Sequence, residues 1–260
     1  MPLTPATRLG SYELVAPLGA GGWADAALRK AVGLWFLVTL LGQWVFLYRV
    51  VRQYSLPTVS GQFEGWMRNN ELFRGYVPGD IIGNLNFASH TLLAAVVTFG
   101  GLIQLIPQIR ARAIAVHRWN GRAFLVSAAI ASVTGLYMVW VRHATFGPVN
   151  SVGVSLNAVL NLVFGARAWR AARAGDIHNH RRWALRTFMV VSGVFFKRIA
   201  TGPGWFFEFA SYLIPLAVLE LYLRAKDSRS TNVRFAMAIV LLGVVVYASF
   251  GTVRFARWVF

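Results

Sequence analysis

Seven long, mostly apolar runs restrict the fold of this chain more tightly than any other feature: 31–48, 81–107, 123–141, 150–166, 183–200, 205–223 and 235–253. A bilayer core about 30 Å thick needs roughly 20 apolar residues in a helix. The run 81–107 carries no charge at all. The fourth is softened by Asn157 and Asn161, and the fifth contains Arg186, Lys197 and Arg198, so the count is six to seven. Barrel strands alternate apolar and polar residues over about 10 positions, whereas these runs are apolar on consecutive positions. Backbone groups in hydrocarbon must be satisfied within their own segment, which requires helices. The expectation is an all-α integral membrane protein: a bundle of six to seven transmembrane helices over 31–260, an N-terminal segment 1–30, and one outer loop, 49–80. The aromatic residues of that loop, Phe63, Trp66, Phe73 and Tyr76, are expected along the headgroups.

Composition closes off the alternatives. Hydrophobic residues make up 57% of the chain and charged residues 13%, against about 25% charged in soluble domains. Disorder and a water-soluble enzyme are excluded. With no cysteine there is no disulfide, thiolate metal site or cysteine nucleophile. The net charge of +17 lies between apolar runs, which points to membrane lipids as partners, not nucleic acid. Most of the 26 Lys and Arg fall in segments on the N-terminal side of the threading. By the positive-inside rule the N-terminus is cytoplasmic and the C-terminus periplasmic. No cleavable signal follows the N-terminal segment, so the first run is expected to anchor the chain.

Gly19-Ala20-Gly21-Gly22-Trp23-Ala24 fits a loose dinucleotide pattern, but a membrane run begins at Ala31 where a βαβ unit would be needed. It reads as a flexible lead-in to the first helix.

The histidines and intramembrane charges carry the chemistry. His90 sits roughly 9–15 Å below the outer surface at helical rise, where an ionisable residue marks a functional site or a hydrogen bond to a neighbouring helix. It is also the candidate metal ligand. His143 ends the third run, facing either His90 or water. On the inner side, His117-Arg118-Trp119-Asn120-Gly121-Arg122 and His178-Asn179-His180-Arg181-Arg182-Trp183 each open a run. Arginine forks at helix starts could clamp a headgroup, a phosphorylated ligand or cofactor propionates, or simply anchor the interface. Arg198 and Glu208 flank the turn 201–204 at similar depth and are expected to form a structural ion pair, with Lys197 on another face. Glu220 can pair with Arg224 four residues on. Alternatively His90, Asn84, Arg198 and Glu208 line an outward-facing polar cavity suited to a proton step or an anionic ligand.

These motifs resemble those of a bacterial membrane-protein family catalogued as a domain of unknown function. The likeness rests on the early histidine, Gly100-Gly101, Gln104-x-x-Pro107, His117-Arg118-x-x-Gly121-Arg122 and His178-x-His180-Arg181-x-Trp183-x-x-Arg186, over roughly residues 85–200. It implies several spans in a bacterial inner membrane and no particular reaction. The histidine layout is also superficially similar to that of diheme b-type cytochromes. It departs from them because His117 and His143 bracket one run and the fourth run has no histidine.

Two functions follow as expectations. One is a redox or ligand-binding protein holding haem b or a quinone-like amphiphile between spans two, three and five, through His90, His117 and His180, with Arg118, Arg122, Arg182 and Arg198 on acidic groups. The other is a non-catalytic accessory subunit packed against a larger membrane complex. A lipid-modifying enzyme or transporter is a weaker third, since paired intramembrane acids and Gly/Pro-broken helix repeats are missing.

Overall fold

The computed structural model describes residues 8–9, 12–13, 22–63, 66, 75–144, 147–201 and 203–260. Most of the segment 1–30, including Gly19–Gly21, and the loop positions 64–65 and 67–74, including Phe73, lie outside them. Arg8–Leu9 (β1) and Tyr12–Glu13 (β2) form a two-residue antiparallel ladder. The helices are α1 (Gly22–Val50), α2 (Leu56–Ser60), α3 (Ile81–Leu105), α4 (Pro107–Arg112), α5 (Ile114–Trp140), α6 (Pro148–Arg173), α7 (Ile177–Val191), α8 (Gly193–Ile199), α9 (Gly204–Asp227) and α10 (Thr231–Val259).

Local signals set the boundaries. Asp80 caps α3 by accepting the Gly83 amide, and Asp176 caps α7 by accepting that of Asn179, each satisfying an N–H that the helix leaves unpaired. Gly175, at φ +72°, makes the left-handed turn that ends α6 and starts α7. The first helix runs past its apolar stretch. A π-helical turn, Val51–Ser55, joins α1 to α2, so the chain stays helical to Ser60 where a loop was expected from residue 49. Trp66 is buried against Phe87 (centroids 5.0 Å apart) and donates to Thr58 Oγ1 at 3.1 Å, so it packs into the bundle and not along the headgroups.

Among the described residues, six helices are long and apolar enough to cross a membrane. The expected fifth span is broken: α7 ends at Val191 and α8 starts at Gly193. The two halves together still traverse the bundle. Along them Arg182 pairs with Asp227, Arg186 with Glu220 and Lys197 with Glu208, an antiparallel register against α9 that runs from one end of that helix toward the other.

Parity supplies an independent argument. Asp25 pairs with Arg234 at 2.6 Å, the Trp23 and Phe235 rings meet at 4.7 Å, Arg49 lies over Trp258 and Tyr48 meets Phe260. Helices α1 and α10 are therefore parallel neighbours. Two parallel helices at the ends of one threading require an odd number of traversals, so α7–α8 traverses the bundle in addition to the six long apolar helices. We call the end where α1 begins the basic end.

Small residues allow the close approach that membrane helices need, since lipid tails supply no hydrophobic drive between them. A Cβ on Gly153 would stand 2.8 Å from Glu208 Cβ, and one on Gly193 would stand 2.9 Å from Tyr212 Cβ. Leu34, Leu37 and Leu41 of α1 and Val246, Phe250 and Val253 of α10 are exposed, as lipid-facing stripes must be.

Candidate functional site

Helices α1, α3, α5, α6, α8 and α9 line a partly open cavity of about 360 Å³ away from the basic end, within the size range of small-molecule sites. Most of its wall is apolar. Its charged and imidazole groups are His90, Arg49, Arg198 and the Lys197–Glu208 pair, and Tyr54, Tyr212, several Ser and Thr hydroxyls and the asparagines of α6 add neutral polar atoms.

His90 leans from α3 onto α5. Its Nδ1 lies 3.0 Å from the Ala131 carbonyl and 3.1 Å from Thr134 Oγ1. A carbonyl can only accept, so Nδ1 carries the proton and the neutral ring presents a lone pair on Nε2. Nε2 has no hydrogen-bond partner among the described residues. The ring edge rests on Gly135, where an added Cβ would come within 3.4 Å of Cε1.

Glu208 is bound by Lys197 (Nζ–Oε1 2.5 Å), not by Arg198 as the shared depth suggested. Adjacent helical positions point about 100° apart; the turn of α8 that gives Lys197 to α9 gives Arg198 to the cavity. Arg198 makes no ion pair or hydrogen bond among the described residues. Arg49, which sequence reasoning passed over, faces the same space with its guanidinium stacked 3.4 Å from the Trp258 centroid. Its place at the end of the first apolar run made it resemble an ordinary interfacial anchor.

Asn157 and Asn161, which soften the fourth run, both turn inward. Asn157 Nδ2 donates to Val190 O at 2.9 Å, beside the break between α7 and α8. Asn161 Nδ2 donates to Ser132 Oγ at 2.8 Å, while its buried Oδ1 has no partner among the described residues. Asn84 does not reach the cavity as expected. It bonds both backbone groups of Val77 and accepts from Arg142. Arg142 is itself buried, and its guanidinium also holds Asp80 and Gly75 O, tying the approach to α3 onto the end of α5. The aspartate cap at the start of α3 was the sequence signal for this clamp. His143, at φ +52° and exposed, turns away from His90.

The remaining candidates stand elsewhere. His90 docks at Ala131, fourteen residues along α5 from His117, or about 21 Å at helical rise. His90, His117 and His180 therefore do not converge on one cofactor. At the basic end, His180 Nδ1 meets Ala168 O at 3.0 Å, and His117 Nδ1 is buried with no partner among the described residues. Arg182 is engaged by Asp227, Arg122 lies over Trp119, and Arg118 is exposed. Glu220 takes a two-pronged bond from Arg186 (2.5 and 2.9 Å) in place of the expected Arg224. Asp176, outside the spans, is held below the usual carboxylate range by the backbone and side-chain N–H groups of Asn179. No group of three metal-binding side chains occurs among the described residues, so His90 stands as a single imidazole.

Fold and site together define a polytopic α-helical membrane protein with an internal cavity. Residues 87–227, from within α3 to the end of α9, match the family described as "Predicted membrane protein (DUF2306)", and the chain belongs to that family. No curated protein and no solved structure matches the chain.

Proposed function

We propose that this protein binds an amphiphile within the bilayer, its polar head among His90, Arg49 and Arg198 and its tail along the apolar wall. The observation that supports this most is His90. Its Nδ1–H is committed to Ala131, which leaves Nε2 as an acceptor on a largely apolar cavity. A quinone-like ligand suits such a site, since its carbonyl could accept from Arg198 and the hydroxyl of its reduced form could donate to Nε2.

Haem b fits less well. Ligation between two histidines needs a second imidazole on the cavity; His117 stands about 21 Å along α5, and His180 does not line the cavity. The exposed apolar faces of α1 and α10 are what lipid contact requires, and nothing in them selects a protein partner.

Purification from native membranes, followed by solvent extraction and mass spectrometry, tests the proposal. About one equivalent of a single amphiphile is expected with the wild type, and loss of it with Ala94→Phe, which fills the cavity, and with His90→Phe. Folded wild-type protein whose extract matches the surrounding membrane lipid in composition, unchanged by either substitution, overturns it. A Soret band removed by His90→Phe replaces it with the haem reading.

A further inference from the structure

We infer that the head of the bound amphiphile is an acid, held between Arg49 and Arg198. This rests on the reading above and goes beyond it by naming the ligand's charge. Arg49 closes α1 and Arg198 closes α8, and both line the cavity. They stand close enough for the charge of Arg198 to act on Arg49. Neither makes an ion pair or a hydrogen bond among the described residues.

Among the described residues the nearby carboxylates are already engaged: Glu208 by Lys197 and Asp80 by Arg142. The third arginine of this region, Arg254, spends its guanidinium on the Ile199 and Ala200 carbonyls at the end of α8. His90 contributes no negative charge, and Tyr54, which also stands beside Arg198, is a phenol. Two guanidiniums therefore line one mostly apolar space with no carboxylate against either among the described residues.

Unpaired charge at membrane depth is costly, and two like charges add repulsion to desolvation. One anion bridging the pair relieves both. The geometry suits this. Stacking on Trp258 covers one flat face of the Arg49 guanidinium and leaves its N–H edge for a carboxylate or phosphate. Beyond the arginines the wall is apolar, including Phe87, Ala94, Val97, Ala128 and Val139, so the acid carries a hydrocarbon chain. Free fatty acid and acidic phospholipid share this chemistry.

Equilibrium binding to the full-length protein in a non-ionic detergent separates the cases, with palmitate, hexadecanol and phosphatidylglycerol as probes. Wild type is expected to bind palmitate or phosphatidylglycerol at least about tenfold more tightly than hexadecanol, since a charge-assisted bond contributes about 1.5–3 kcal/mol. Whichever of the two binds identifies the source of the acid. Arg49→Gln and Arg198→Gln each lower acid binding by roughly tenfold and leave hexadecanol unchanged. Arg49→Lys and Arg198→Lys, which keep the charge, retain most of it. Arg254→Gln, off the cavity, changes neither. Equal wild-type affinity for acid and alcohol overturns the inference while leaving the amphiphile reading intact, and it needs no variant to fold. If the wild type binds none of the three and also carries no amphiphile on purification, the parent reading fails with it.

Discussion

The two ends of the bundle use their charges differently. At the basic end, Asp25, Asp227 and Glu220 are each taken by an arginine from another helix. At the cavity end, Lys197 and Arg142 have acids as well; what differs is where the cations without an acid among the described residues stand, solvent-exposed at the basic end (Arg118) but lining the cavity here (Arg49 and Arg198). Paired charges fix the register of α1 on α10 and of α7–α8 on α9. Unpaired ones add nothing to register and cost stability, so their retention needs another cause, which a ligand supplies. Paired charges should therefore lower stability when removed, and unpaired ones should not.

The sharpest break falls at Arg186–Glu220, which is two-pronged and largely shielded from solvent. Glu220→Ala is expected to cost roughly 3 kcal/mol, because an uncompensated cation is left in the bundle. Replacing both residues with methionine should cost less than that single change, as unfolding titrations in mixed micelles would reveal. A double loss equal to the sum of the singles would mean that the pair contributes nothing as a pair.

Arg142→Gln should cost about 2 kcal/mol by releasing Asp80, Gly75 O and Asn84 together. Hydrogen exchange at the start of α3 should rise selectively. Arg234→Gln, at a half-exposed pair, should cost about 1 kcal/mol or less, and less again in high salt. Arg49→Gln and Arg198→Gln complete the comparison with no loss, or a small gain, in ligand-free stability. A clear loss from either would assign that arginine a structural role and erase the contrast between the ends.

The Asp176 cap gives the smallest effect. Its folded pKa is depressed, so its contribution is present above the ordinary carboxylate value, near 4, and is lost as pH falls through the folded value. Exchange of the Asn179 amide should quicken in that window, and Asp176→Asn should remove the dependence.

Six of the seven runs were legible because hydrocarbon tolerates nothing else on consecutive positions, and counting depth along helices was enough to group His90, Arg198 and Glu208 on one cavity. Rotation about the helix axis was not legible. Lys197 and Arg198 compete for Glu208 at nearly the same depth, and only the phase of α8 against α9 decides between them. The break at Ser192 was hidden as well. It coincides with Gly193 meeting Tyr212 and Asn157, a contact among three helices that no single run encodes. Arg49 was hidden for a related reason: it joins the cavity through the parallel packing of α1 on α10, helices far apart in sequence. Asn84 was placed at the correct depth but is drawn off by Arg142 and Val77.

The most direct measurement is an experimental structure of the full chain in nanodiscs of native lipid. Elongated density with its head within hydrogen-bond reach of both Arg49 and Arg198, and its tail lying along Val97 and Ala128, is the predicted result. A protein carboxylate seated between the two guanidiniums, with the space beyond collapsed, would contradict it.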